Sequence, residues 1–431
     1  MSASAKSKTS IRTEALAGIT TFFTMVYIVV VNPQILSTEG TGMAFSGVLT
    51  ATVLVCFAMT LLMGLYAKLP FAVAPGMGIN AFFTFTIILG QKVPWQVALG
   101  IIFWAGVLFL LVSVTPVRET IARAIPKELR IATAAGIGIF LTFIGLKNAG
   151  IIIADPVTFV RLGHLGMPAL LTILGVGIAI FLISRKSPFA FLAAIIFVTL
   201  IAWARGMVTT PQSLFALPDF KSVFLKLDVA GALKLSLLPA IIAILFTDLF
   251  DSISTFIGVA HATDLLDENG HPRNLRQGLI VDSVATLGAG LAGSSSGTAY
   301  IESAAGIDMG GRTGLTSVFT ALCFLPCFFL APLVGMVPSY ATAAVLILVG
   351  ASMFKSVGQI AFSKIEEGVP AFLTLILIPL TFSITQGILW GFISHVGLYL
   401  IMGRRRDIHP VMYVLAVVSA GLLLMEHAKF S

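Results

Sequence analysis

Gly293-Ser294-Ser295-Ser296-Gly297-Thr298 breaks a strongly apolar region, and Pro75-Gly76-Met77-Gly78-Ile79-Asn80 does the same in the first half of the chain. Both segments are short, rich in Gly, Ser or Pro, and sit at matching places in the two halves. Non-helical backbone at membrane depth is tolerated only where it is buried in protein or lines a cavity. Its N–H and C=O groups, and the N-terminus of the half-helix that follows, are then turned toward a ligand. Gly76 and Gly78 also admit a plainer reading, close helix packing. They are not a nucleotide fingerprint: there is no third glycine in register, no Gly-Lys-Ser/Thr and no βαβ context.

The chain around these breaks has 431 residues, 58% hydrophobic and 10% charged, with a mean hydropathy of +1.03. That excludes a soluble globular domain and indicates an all-α polytopic membrane protein. At ~20 apolar residues per span, the length holds roughly 12–14 spans. The net charge of +7 belongs to loops and not to a nucleic-acid surface, since no basic residues interleave with aromatics on a soluble face. Cys56, Cys323 and Cys327 lie in apolar stretches with no His or carboxylate close in sequence. Helix packing is expected of them, not zinc or a disulfide.

Hydrophobic runs predict fourteen spans, near 15–34, 44–66, 71–90, 95–115, 129–149, 168–184, 187–206, 236–260, 275–293, 297–309, 313–336, 338–355, 368–384 and 386–403. A further run, 410–426, is read as a C-terminal helix on or in the membrane. Residues 1–13 read as a polar, basic cytoplasmic tail with no cleavable signal peptide. With the N-terminus cytoplasmic, the inner breaks hold Lys68, Arg118, Arg123, Lys127, Arg130, Arg185, Lys186, Arg273, Arg276, Arg312, Lys355, Lys364 and Arg404 to Arg406. The outer breaks hold a sparser set, among them Lys92, Lys147 and Lys234. This is the bias of the positive-inside rule.

An inverted repeat is predicted from paired signals. Ala132-Thr133-Ala134-Ala135 opens the fifth span and Ala341-Thr342-Ala343-Ala344 the twelfth. Phe23-Thr24 resembles Phe246-Thr247, and Ile79-Asn80-Ala81 resembles Ile301-Glu302-Ser303. The shift is seven spans, an odd number, so the second copy is upside down in the membrane. Secondary transporters built this way place their sites near the midplane.

Three acids, Asp248, Asp251 and Glu302, lie within these apolar stretches. An ionised side chain costs roughly 2.5–3.5 kcal/mol at a helix centre. A chain that keeps three of them there uses them for a substrate or a proton; the plainer reading is that they face a helix end or internal water. Spaced by three, Asp248 and Asp251 are expected on one face of the eighth span. Glu302 begins the tenth half-helix, and Asn80 is expected at the same position in the third. A carboxylate accepts two parallel hydrogen bonds, and Asn both donates and accepts. Together they suit a flat heterocycle with N–H donors and ring-nitrogen or carbonyl acceptors. Burial disfavours the charged form of a carboxyl in general, which lets such a group exchange a proton in the neutral range. Asp282, in the ninth span, is open between a structural hydrogen bond and a role in transport. His164, His261, His271, His395 and His409 are expected at span ends or in loops, and no Ser-His-Asp arrangement is apparent.

Thr247-Asp248-Leu249-Phe250-Asp251-Ser252, Ser295-Ser296-Gly297-Thr298-Ala299-Tyr300-Ile301-Glu302-Ser303-Ala304-Ala305-Gly306, Gly310-Gly311-Arg312-Thr313-Gly314 and Pro75 to Phe83 together resemble the nucleobase–cation symporter family. The likeness covers nearly the whole chain and is closest to the adenine/guanine/hypoxanthine permease branch. It implies fourteen spans as a 7+7 inverted repeat, with short strands and broken helices in spans 3 and 10. It implies a core domain (14–115 and 236–336), a gate domain (116–235 and 337–403) and a C-terminal segment, 404–431. The implied activity is proton-coupled uptake of purine bases by an elevator-like motion, in a homodimer of a bacterial inner membrane, with no cofactor, metal or nucleic acid. Carried onto this chain, the substrate-binding positions are Gly78, Asn80, Asp248, Asp251, Thr298 and Glu302. The proton-coupling positions are Asp251, Asp282 and Glu302.

Three other functions compete. An anion carrier of the same fold, moving sulfate or bicarbonate, is expected to lack a cluster of acids. A magnesium-dependent membrane enzyme would use an Asp-rich face, for which Asp264, Asp267 and Glu268 are the nearest match; they read better as a solvated loop. A channel is disfavoured by the paired breaks and by the lack of a charge ring or repeated filter sequence.

Overall fold

Proline and glycine-rich runs interrupt helices, and at both breaks the chain forms a two-residue strand. The computed structural model describes residues 10–115, 124–263, 265–266 and 272–427. Lys6, Lys8, Arg118, Arg123, Asp264, Asp267, Glu268 and His271 lie outside the described residues. The chain runs α1 (Ile11–Met25), α2 (Ile28–Leu36), α3 (Phe45–Leu62), β1 (Val73–Ala74), α4 (Met77–Ala81), α5 (Trp95–Val114) and α6 (Lys127–Asn148). It continues as β2 (Ile152–Asp155), β3 (Phe159–Leu162), α7 (Met167–Ser184), α8 (Ala190–Ala204), α9 (Leu238–Ala262), α10 (Leu275–Ala292), β4 (Thr298–Ala299) and α11 (Ser303–Asp308). Last come α12 (Gly314–Phe324), α13 (Ala331–Gly335), α14 (Ser339–Phe354), α15 (Ile365–Thr381), α16 (Ile384–Ile401) and α17 (Pro410–His427).

The protein is mostly helical, and eight of its helical stretches are long and apolar enough to cross a membrane. They are Ile11–Leu36, Phe45–Ala67, Trp95–Val114, Lys127–Asn148, Met167–Ser184, Leu235–Ala260, Ser339–Gln359 and Ile384–Ile401. Met77–Gly90, Ala190–Ala204, Gly314–Phe329 and Pro410–Leu424 are shorter apolar helices. Among the described residues, α10 and α15 belong to neither set. Each carries charge, Arg276 and Asp282 on one and Glu366 and Glu367 on the other. Large apolar side chains such as Leu170, Ile173, Ile180 and Phe181 on α7 face outward, as a lipid-facing surface requires.

Packing gathers the helices into two groups. In one, α5 lies along α10, α1 along α12, and α3 against α2, α10 and α12. In the other, α14 and α15 lie along α6, α7 packs on α8 and α14, and α17 on α16. Small residues bring α6 and α14 together: a Cβ on Gly138 would sit 2.6 Å from the Gly350 carbonyl oxygen. The groups touch where α4 and α9 meet α6, where α9 meets α16 and where α1 meets α8.

The β2–β3 hairpin between α6 and α7 was not foreseen in the sequence. It pairs Ile152 with Leu162 through to Asp155 with Phe159. The Thr158 and Val157 amides donate to Asp155, which holds that carboxyl below the usual carboxylate range.

Candidate functional site

The two breaks meet. β1 and β4 pair antiparallel, Val73 opposite Ala299 and Ala74 opposite Thr298, and the Tyr300 amide extends the pairing to the Ala72 carbonyl at 2.9 Å. A two-stranded ribbon leaves its outer edges unpaired, and buried backbone groups need partners. On the β1 edge, the Thr60 hydroxyl accepts from the Val73 amide at 2.9 Å and donates to its carbonyl at 3.0 Å. On the β4 edge, Asp282 accepts from the Ala299 amide at 3.0 Å. The Ser296 hydroxyl accepts from the Gly76 amide at 3.1 Å. These bonds hold irregular backbone inside the bundle, and both half-helices start beside it.

Helix α9 passes this crossing with two differently used stripes. Thr247, Phe250, Asp251 and Ser254, at helical spacing, line a cavity of about 50 Å³. Arg130, Thr133, Ala134 and Ile137 line it from α6 at the same spacing, with Gly76, Gly78, Ile79 and Met353 completing the wall. Asp248 is not on that wall. It is fully buried and accepts a hydrogen bond from Thr286 on α10. Ser252, one turn on, contacts the Thr298 hydroxyl at 3.2 Å. The expectation that Asp248 and Asp251 share a face is therefore corrected. A step of three residues leaves them roughly 60° apart around the axis, enough to give them different neighbours.

Glu302 stands at the N-cap position of α11, and its side chain accepts from the Tyr27 hydroxyl at 2.7 Å. It lies within electrostatic reach of Asp251. Asn80 lies one turn inside α4, whose N-cap is Gly76. Asn80 and Glu302 thus do not occupy matching positions, because the N-cap of α4, Gly76, lies four residues before Asn80 whereas Glu302 is itself the N-cap residue of α11. Asn80 is fully buried, accepts from Ser295, and its Nδ2 has no partner. Thr298, on β4 itself, and Asp282, at the edge of β4, are likewise buried. Of the positions expected to contact a substrate, Gly78 and Asp251 line the cavity, Glu302 stands near it, and Asn80, Asp248 and Thr298 brace the crossing.

The sequence places Arg130 among the loop charges, yet it lines the cavity. Its signal was a stripe: Arg130, Thr133, Ala134 and Ile137 recur at three- and four-residue steps just after Pro126. His395 was expected near a span end, yet it is buried within α16 with its ring 4.5 Å from that of Tyr399. His164 and His409 are exposed, as loop positions should be. The three cysteines are unpaired. No cluster of metal-ligating side chains occurs among the described residues. A larger cavity, about 620 Å³, lies at the start of α9, between Lys92, Lys234, Thr385 and Leu422.

The sequence profile of a permease family matches residues 12–390. The chain belongs to that family. It is 44% identical to the adenine permease AdeP of Escherichia coli over 95% of this chain and 92% of the relative. It is 39% identical to the guanine/hypoxanthine permease PbuO of Bacillus subtilis over 95% and 96%. Among solved structures, this permease is similar in fold to the transmembrane domain of a cyanobacterial bicarbonate transporter, BicA. The TM-score is 0.66 at 16% identity, covering 88% of this chain and 97% of the other.

Proposed function

We propose that this permease is a proton-coupled symporter of purine bases, with adenine, guanine and hypoxanthine as the substrate class. The observation that carries the reading is the cavity between α9 and α6, where Asp251 is the one acid among the described lining residues and faces Arg130, Thr133 and Ile137 of α6. A carboxylate accepts N–H donors of a flat base. The names of AdeP and PbuO support the same class. Bicarbonate, which BicA carries, would meet Asp251 as a like charge.

The cavity lies on the seam between the two helix groups. Its volume holds roughly three to five waters at ~10–15 Å³ each, so a purine requires the seam to widen. We read the group containing α9, β1 and β4 as a moving core (14–115, 236–336) and the group containing α6 and α14 as a fixed gate (116–235, 337–403). Fourteen membrane segments in two inverted repeats fit this scheme. Thr60 and Asp282 support the repeat, since each serves the outer edge of one strand from the preceding helix. Asp251, Glu302 and Asp282 are the proposed proton carriers. A cytoplasmic N-terminus, a homodimer and a bacterial inner membrane complete the reading. The test is radiolabelled adenine and hypoxanthine uptake into proteoliposomes with and without an inward pH gradient. Accumulation that follows the pH gradient is expected; equal accumulation with the gradient collapsed and only a sodium gradient imposed removes proton coupling.

A further inference from the structure

Arg130 is a half-buried cation with no assigned task. Its Nε is buried without a hydrogen-bond partner, and no ion pair to its guanidinium occurs among the described residues. A buried polar donor left unpaired is costly. The side chain stands on the wall of the cavity that Asp251 also lines, one from the α6 side and the other from α9. The Thr247 hydroxyl on the same wall is also buried without a partner.

A guanidinium only donates hydrogen bonds, and an ionised carboxylate only accepts them. A ligand that satisfies both walls must offer acceptors on one edge and N–H donors on another. An anion would satisfy Arg130 and be repelled by Asp251; a cation would do the reverse. A neutral heterocycle with ring nitrogens or a carbonyl on one edge and N–H groups on the other satisfies both. We propose that Arg130 is a substrate-binding residue of the gate, donating to an acceptor edge of the base while Asp251 accepts from its N–H edge. The base then bridges the two helix groups, so an occupied cavity links α6 to α9 in a way an empty one does not. This inference rests on the purine reading and adds to it the residue on the opposite wall.

The test measures binding of adenine, hypoxanthine and their 3-deaza and 7-deaza analogues to wild-type protein, Arg130→Ala, Arg130→Lys and Asp251→Asn in detergent. Deaza analogues replace one ring acceptor by C–H. Arg130→Ala is expected to weaken the parent bases about tenfold or more, as loss of a charge-assisted bond does. It should leave unchanged the one analogue that lacks the contacted nitrogen. Arg130→Lys, which keeps charge without the planar fork, should fall between. Should the alanine variant not fold, the lysine variant carries the same comparison across analogues. A uniform loss for every base and analogue, or no loss for any, overturns the contact. Absence of purine binding to the wild type overturns the purine reading itself, an outcome distinct from purine binding that is indifferent to Arg130.

Discussion

Asp248 and Asp251 are the same residue type, three apart on one helix, and they meet opposite surroundings. Asp248 turns to α10, where Thr286 donates to it, and Thr286 in turn contacts the Gly297 carbonyl at 3.1 Å. Asp251 turns to the cavity and α6. One aspartate braces the turn before β4; the other lines the cavity. A carboxylate in a bundle therefore identifies a functional region, but its neighbours decide whether it supports the site or forms it.

The sharpest break of this comparison is to replace each acid by its amide. Asp251→Asn should lower purine binding and uptake by roughly 10- to 100-fold, since bonds to charged groups contribute ~1.5–3 kcal/mol. Asp248→Asn should leave affinity within about threefold and lower stability by about 1–3 kcal/mol instead, because a carboxylate acceptor becomes a neutral amide and a buried NH2 is introduced. Equilibrium binding and thermal unfolding of both variants decide the matter. Equal affinity losses with unchanged stability would merge the two stripes.

The second largest effect is expected at the seam. A Cβ added to Gly78 would collide with Ile137 Cγ2 on α6, and Ile137 is branched and held in the cavity wall. Gly78→Ala should overpack that contact by about 1–3 kcal/mol and slow uptake more than it lowers stability. Ile137→Ala in the same protein should restore part of the rate. An unimpaired Gly78→Ala protein would mean that α4 and α6 do not need to approach this closely during transport.

Much of this architecture was legible in the sequence, because membrane depth makes polar residues and irregular backbone conspicuous. Pro75-Gly76 and Gly293 to Gly297 marked the two breaks, and the acids marked α9 and α11. What pairs across the chain was less legible. The register of β1 with β4 depends on Thr60 and Asp282, which lie on other helices and carry no local signature of strand capping. The likeness of Ile79-Asn80 to Ile301-Glu302 suggested equivalent positions, but the helix starts at Gly76 and Glu302 set a different offset. Arg130 was hidden by a sound rule: basic residues at span ends are usually loop charges, and only the stripe with Thr133 and Ile137 places it on an inner wall.

The smallest effect expected at the site itself is that of Tyr27→Phe, and it distinguishes support from contact at Glu302. The Tyr27 hydroxyl donates to Glu302 Oε1 at 2.7 Å, and its ring packs edge-on against Phe191 of α8 at 5.0 Å. Phenylalanine keeps that ring contact across the seam and removes only the hydroxyl. If Glu302 serves purine or proton transfer, it loses one of its orienting donors and keeps its charge. Uptake should then fall only about two- to tenfold, less than for Glu302→Gln, which removes the charge and with it bonds of ~1.5–3 kcal/mol. The loss should appear in the rate of uptake, since the donor that orients Glu302 is removed while its charge is kept. The rate of labelled hypoxanthine uptake, for wild type, Tyr27→Phe and Glu302→Gln, reads this out. A Tyr27→Phe rate equal to wild type, beside a Glu302→Gln protein that is inactive, would leave Glu302 essential but independent of the α1 side of the seam.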